Sequence, residues 1–300
     1  MMLPMRAFIV AIAALAACRP DLGPSDTLVT TPRILAIKAE PADAKPNTAA
    51  TYTALVASPD AAGDAASIVW RFCIAPKPLT ENNSVSSECL DDASLVAAGT
   101  GSAVTAKTPA KACAFFGPDT PPGGFRPRDA DVTGGYYQPL RADGADIPTV
   151  FYLARILCNL ADAPVDVATE FAKTYTPNQN PHLGPLVARV EGALSPLDAI
   201  PAGARVELEA SWPAEDAETY AYFDRASQTL VSKRESMRVA WFASDGTFDT
   251  GSTGRAEDDF ASDVQNGWVA PRRAGAVRLW LVLRDSRGGI EFAIHDITVR

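Results

Sequence analysis

Residues 205–212 read RVELEASW, and the side chains change character at every step. Val206, Leu208, Ala210 and Trp212 fall on one face, while Arg205, Glu207, Glu209 and Ser211 fall on the other. A period of two is the side-chain repeat of an extended strand with one covered face, and a helix cannot satisfy it. The pattern returns in VRLWLVLRD, where Val277, Leu279, Leu281 and Leu283 form an inner row against Arg278 and Arg284. It returns again in TYTALVA, where Tyr52, Ala54 and Val56 alternate with Thr51, Thr53 and a partly apolar Leu55. Half-covered strands bury their apolar face by stacking one sheet on another. The 24 prolines against 4 methionines agree with short strands joined by turns rather than with a helical bundle.

From Ile34 the strand-like runs are ILAIKAEP, ATYTALVASPD and SIVWRFCIA, parted by proline, asparagine and aspartate clusters. Trp70 lies in the middle of the third run, where an immunoglobulin-like sandwich carries its core tryptophan. Between residues 100 and 149 the pattern degrades, and this stretch reads as a long excursion from the first sandwich. Regular structure resumes at TVFYLARILCNL, and VDVATEFAKTYTP fits a closing strand or a short helix. The NQNPHLGP segment marks a boundary, giving a first domain over 34–177, a linker over 178–184 and a second domain over 185–300. In the second half, DSRGG at Asp285 to Gly289 supplies the residues of a tight hairpin into the last strand.

The first seventeen residues have a basic side chain, Arg6, ahead of the apolar run AFIVAIAALAA. That run is shorter than the roughly 20 residues of a membrane-spanning helix, and it has the form of a secretory leader. Leu15-Ala16-Ala17-Cys18 resembles the bacterial lipobox at every position. The resemblance implies a lipoprotein signal peptide over 1–17 and a diacylglyceryl thioether, with a further fatty acyl chain such as palmitate, on Cys18. Each buried methylene contributes about 0.8 kcal/mol, so two or more chains anchor where one holds only marginally. In that family an aspartate after the cysteine retains the protein at the inner membrane. Arg19 stands here instead, which implies the outer membrane. Residues 18–33 carry three prolines and no apolar period, and read as a flexible tether.

With Cys18 assigned to lipid, Cys73, Cys89, Cys113 and Cys158 form an even set in an oxidising compartment, where disulfides are the default. No pair has the close spacing of a structural zinc site. Three pairings are open. In IVWRFC a solvent-facing Arg71 sends Cys73 outward, and in FYLARILC a solvent-facing Arg155 places Cys158 inward. That parity argues against a 73–158 rung, and so for 73–89 with 113–158.

Trp241 with Gly246 and Phe248, then Trp268 and Pro271, then the Val-x-Leu-x-Leu-x-Leu row closing on Asp285 and Gly288-Gly289, resemble the C-terminal half of PKD-type and related bacterial immunoglobulin-like domains. With the lipobox, the CRPDLG segment and the PRILAIKAEPAD opening, the chain resembles surface lipoproteins of myxobacterial type with tandem immunoglobulin-like domains. The resemblance implies an all-β chain of two such sandwiches in tandem, and it implies no catalytic residue and no cofactor.

The residues themselves point the same way. Only two histidines are present, and no nucleophile elbow, metalloprotease helix pair or phosphate loop occurs. GTGSAV at Gly99 to Val104 lacks the third glycine of a dinucleotide loop and reads as a turn. DADVTGG, from Asp129 through Asp131 to Gly135, begins like a calcium loop, but its twelfth position is Leu140 rather than a glutamate. Carboxylates cluster at Glu215, Asp216 and Glu218, and at Glu257, Asp258, Asp259 and Asp263, as solvated loop charge. The net charge of −9 repels phosphate polymers, so nucleic acid is not an expected partner. The excursion supplies a candidate binding surface of Phe115, Phe116, Phe125, Tyr136 and Tyr137 with Arg126 and Arg128, residue types that interfaces favour. Against this stands the reading that the rings fold back as a small satellite core. The expectation is a non-enzymatic envelope scaffold or adhesion module facing a protein or polysaccharide. The alternatives are an envelope hydrolase built on carboxylates and an accessory subunit of an export machine.

Overall fold

A computed structural model describes residues 26–59, 67–77, 81, 84–118, 132–160 and 162–300. The first half forms β1 (Arg33–Glu40), β2 (Ala49–Ala57), β3 (Ile68–Cys73), β4 (Leu95–Thr100), β5 (Ala103–Lys107), β6 (Gly135–Gly144) and β7 (Ile147–Leu157). Its sheets have the orders β1-β2-β5 and β4-β3-β6-β7, with every pairing antiparallel. The second half forms β8 (Val187–Val190), β9 (Ala193–Ser195), β10 (Arg205–Ser211), β11 (Thr219–Asp224), β12 (Thr229–Arg234) and β13 (Met237–Ala243). It continues with β14 (Thr247–Phe248), β15 (Ser252–Arg255), β16 (Asp263–Val269), β17 (Gly275–Asp285) and β18 (Ile290–Val299). Here the sheets are β14-β16-β10-β8-β9 and β15-β13-β17-β18, and β11-β12 stands apart as a hairpin.

The two halves follow one path. In each, the first, second and fifth strands of the sandwich make one sheet, and the fourth, third, sixth and seventh make the other. That division is the immunoglobulin-like sandwich, so the chain is all-β with two such units in tandem. Trp70 and Trp241 occupy the third strand of each and are fully buried. The inner rows read from the alternation, Val206 to Trp212 and Val277 to Leu283, all lie in the second core with Trp241 and Trp268. Tyr52, Ala54, Val56, Trp70 and Leu140 build the first core.

Three expectations are corrected. The 100–149 stretch is not a patternless excursion, because it contains β5, β6 and a short helix α1 (Ala112–Phe116). GYYQPLRADG hides its strand character behind glycines and Pro139, which has no amide proton to give the ladder. Gln138 Nε2 donates to the Cys73 carbonyl at 2.5 Å beside that proline. The 18–33 tether is not free along its described part. The amide of Ala243 donates to the Thr27 carbonyl (2.9 Å), the amide of Val29 donates to the Ala243 carbonyl (2.8 Å), and Val29 is fully buried. Arg155 is not solvent-facing, because it is 4% exposed and paired with Asp43. VDVATEFAKTYTP resolves as the helix α2 (Val165–Thr174), whose Phe171 packs on Leu160 and on Phe223 of β11.

The disulfides are Cys73–Cys89 and Cys113–Cys158. Cys73 does lie on the face of β3 away from the first core, but Ala75, Val85 and Cys89 cover it. Neither bridge joins the two sheets of a sandwich: the first fastens the segment after β3 to that strand's last residue, and the second fastens α1 to the residue that follows β7.

The sandwiches share a third apolar cluster. Val29, Ala36 of β1, and Leu55 and Ala57 of β2 pack on Trp280 and Val282 of β17 and Ile290 of β18. Strand β17 is therefore buried on both faces, its odd-numbered residues in its own sandwich and Trp280 and Val282 against the first. Truncating a buried tryptophan costs about 3–5 kcal/mol. Trp280→Ala is expected to lose that amount and to split one calorimetric unfolding transition into two. A single transition at the wild-type temperature would show that the domains are not coupled through this face.

Candidate functional site

The densest constellation of functional groups lies where the 178–184 linker and the residues just before it meet the β17–β18 hairpin. Arg287, at the hairpin tip, is 3% exposed. Its Nε donates to Glu235 Oε1 at 2.6 Å and its Nη2 to Glu218 Oε2 at 2.6 Å. Its Nη1 donates to the Thr176 carbonyl at 2.9 Å and to the Tyr175 hydroxyl at 3.2 Å. The guanidinium also lies over the rings of Tyr220 (4.7 Å to the centroid) and Tyr175 (5.6 Å). A buried guanidinium persists where its donors are matched and its faces are covered by aromatic rings, and here four of its five N–H groups meet an acceptor.

Tyr175 carries the network into the first sandwich. Its hydroxyl donates to Asp43 Oδ2 at 2.9 Å, and the same oxygen accepts from the backbone amide of Asn178 at 2.9 Å. Asp43 Oδ1 lies 2.7 Å from Arg155 Nε, and Arg155 Nη2 donates to Thr133 Oγ1 at 2.5 Å. Gly135 has no side chain because the Arg155 guanidinium occupies the space a Cβ would take. Burial, then the charge of Asp43, pushes the Tyr175 hydroxyl up to about 12, so it remains a donor.

The linker closes the circuit. Asn178 Nδ2 donates to both Asp285 carboxylate oxygens at 3.1 Å, and Asp285 Oδ1 also accepts from the amides of Arg287, Gly288 and Gly289. Asn180 Nδ2 donates to the Ala39 carbonyl (2.7 Å) and to Glu40 Oε2 (2.8 Å), while Asn180 Oδ1 accepts from the amide of Ile290 (2.9 Å). A Cβ at Gly289 would collide with Asp285, Gln179 and Asn178, so this approach of linker to hairpin requires glycine. Asn178 and Asn180 are thus buried staples and not an exposed spacer.

Beside this network opens a polar cleft of about 450 Å³, lined by Lys38, Glu40, Gln179, Asn180, His182, Glu215, Asp216 and Glu218. It brings the first carboxylate cluster together with His182. Apart from Glu215, its carboxylates are already engaged. Asp216 accepts from the amide of His182 at 2.6 Å and faces its Nδ1 at 3.2 Å. Glu218 holds Arg287, Glu40 holds Asn180, and Lys38 pairs with Glu291 at 2.8 Å. The second carboxylate cluster is organised around Arg255, which meets Asp259 at 3.0 Å and Asp263 at 3.6 Å. His295 is half-buried on β18, and burial lowers its pKa.

The aromatic surface expected in the excursion is not assembled among the described residues. Phe125, Arg126, Arg128, Asp129 and Asp131 lie outside them, as does Cys18. Tyr136 is 1% exposed and packs with Phe116, Ala112 and Ile156, which places both rings in a satellite core. Phe115 meets Phe116 edge to face at 6.2 Å, and Tyr137 alone of the four described rings is well exposed. Sequence reasoning missed Asp43, Tyr175, Glu235 and Arg287. The only signal was the crowding of amides in NQN and of a charge pair in DSRGG, both of which also read as turn chemistry.

No family model and no curated protein matches the sequence. Among solved structures, the adhesin InvE of Yersinia pseudotuberculosis is 10% identical, with a TM-score of 0.23, over 93% of this chain and 62% of the adhesin. Domains FN1–FN3 of chicken CNTN1 are 11% identical, with a TM-score of 0.22, over 91% of this chain and 69% of theirs. A nucleoside hydrolase-related hypothetical protein of Saccharophagus degradans is 14% identical, with a TM-score of 0.22, over 45% of this chain and 29% of its own length. The chain therefore spans less than two thirds of the adhesin. The fold described above stands on its own strand orders.

Glu235 is fully buried, and burial followed by the charge of Asp285 raises its pKa from 4.5 to about 8. A group that binds its proton more tightly when folded stabilises fully below its unfolded pKa and loses that contribution as pH rises through the folded value. The melting temperature of wild type minus that of Glu235→Gln is expected to fall steadily between pH 5 and pH 8.5. A difference that does not change with pH would show that this carboxyl does not titrate in the seam.

Proposed function

We propose that this chain is a lipid-anchored outer-membrane protein with a non-enzymatic role, a scaffold or adhesion module that presents its loops to a protein or polysaccharide partner. The observation that carries the reading is the seam. Two sandwiches that could hang on a free linker are instead joined by a shared apolar cluster and by buried polar contacts centred on Arg287. Inter-domain motion is the default for tandem domains unless the interface is large and apolar. Fixing two sandwiches relative to each other serves a protein that must hold surfaces at a set spacing. The disulfides fit the export that the Leu15 to Cys18 motif implies.

The hydrolase alternative would use the cleft of Glu40, Glu215, Asp216 and Glu218. A carboxylate pair serves glycoside hydrolysis when one member is free to protonate and the other to attack or activate water. In this cleft Glu40, Asp216 and Glu218 are spent on Asn180, His182 and Arg287, which supports the scaffold reading over the enzymatic one.

Cys18→Ser is expected to abolish palmitate labelling and to release the protein from the membrane fraction. In intact cells, crosslinking is expected to capture an envelope protein or glycan with the wild type and to lose it with the anchorless variant. Palmitate incorporation that persists in the variant would remove the anchor from the proposal.

A further inference from the structure

Residues 26–29 pair with the second sandwich at its seam with the first, where Val29 joins the shared apolar cluster. Thr27 and Val29 pair with Ala243 of β13 beyond the end of β15, and Leu28 lines a cleft with residues 245–247 and 269–273. A Cβ at Gly251 would meet Thr27 at 3.2 Å, which places the incoming segment against the second sandwich. Only seven residues separate Cys18 from Asp26. Even fully extended, that connection spans at most about 29 Å. An anchor at Cys18 therefore holds the C-terminal sandwich beside the bilayer.

The cleft that Leu28 enters is walled by Arg272 and Arg273, in the loop between β16 and β17. Both are exposed, and among the described residues neither makes an ion pair. Asp249 is bound by Arg205, and Asp245, which accepts from the amide of Gly246 at 2.7 Å, is the one carboxylate among the described residues of the cleft against the two guanidinium groups. The opposite end of β17 carries the hairpin and the acidic cleft of Glu40, Glu215, Asp216 and Glu218. Ten residue steps along β17 separate the two ends, roughly 34 Å. The protein is acidic as a whole, yet it presents two free guanidinium groups where its N-terminal segment docks and its densest carboxylates at the far end of that strand.

We infer that the β16–β17 loop, through Arg272 and Arg273, is the membrane-facing tip and docks on the phosphate headgroups of an anionic phospholipid surface. The second sandwich then lies next to the bilayer and the first projects away from it, reversing the order of the chain. Guanidinium groups pair with phosphate in bidentate geometry, and like charge keeps the acidic end off the same surface. The inference rests on the lipid-anchor reading for the short tether, and on the charge distribution for the orientation.

The test uses the lipidated full chain carrying Ala274→Cys, in the loop, or Ala97→Cys, exposed on β4, the edge of its sheet opposite the β7 strand that meets the second sandwich. Each is labelled with a donor fluorophore and reconstituted in phosphatidylcholine–phosphatidylglycerol vesicles containing a headgroup acceptor. Transfer at position 274 is expected to be at least threefold that at position 97, and Arg272→Glu with Arg273→Glu is expected to halve the signal at 274. Equal or reversed transfer, or a charge-reversed variant with unchanged transfer, would overturn the orientation. Mass spectrometry of the N-terminal peptide reports the anchor separately. If Cys18 carries no lipid, the anchor reading fails. The orientation is then decided by the same two positions in a Cys18→Ser chain whose residues 1–17 are replaced by hexahistidine, held on nickel-chelating lipid in the same anionic vesicles. Both substituted arginines are exposed, so an unchanged melting temperature confirms that the variant folds.

Discussion

A guanidinium removed from water needs acceptors for its donors, and Arg287 is met by groups from both halves of the chain. Glu218 and Glu235 come from the second sandwich, and Tyr175 and Thr176 from the segment that leaves the first. Breaking a buried pair by removing one partner costs about 3–5 kcal/mol, because the remaining charge is left without compensation. The residue therefore imposes a single relative placement of the sandwiches more than it adds stability. The neighbouring contacts, from Asp43 through Asn178 to Asp285, run on from its partner Tyr175 and return to its own hairpin.

The apolar part of the seam obeys the same logic at lower specificity. Strand β17 places four residues in its own core and turns Trp280 and Val282 outward onto β1 and β2. A sheet covered on both faces needs strands that are apolar on both faces. Leu55 and Ala57 on β2 supply the complement, opposite to the Tyr52, Ala54 and Val56 row that fills the first core.

The sandwich fold was readable because alternation is local: Val206, Leu208, Ala210 and Trp212 announce a covered face without reference to any partner. The disulfide pairing was reached through strand parity, although one premise failed, since Arg155 is buried against Asp43. The seam was written as exceptions to the pattern, Trp280 and Val282 where a polar residue was due and Leu55 where a threonine would fit. Such exceptions state that a second face is covered, but not by what. The polar network was less legible still, because Asn178, Asn180 and the DSRGG hairpin have the composition of exposed turns. Only the fold places them 110 residues apart in sequence yet in contact, as the Asn180–Ile290 bond does.

The pairing of Lys38 with Glu291, 253 positions apart, has a consequence for biogenesis. A polypeptide that emerges from its N-terminus can finish the interior of its first sandwich early, yet the patch of Ala36, Leu55 and Ala57 has no cover until the final hairpin arrives. During that interval an apolar area stays wet, and such areas invite association with other chains. Any delay in the arrival of the last two strands would prolong that exposure, so the early half depends on prompt delivery of Ile290.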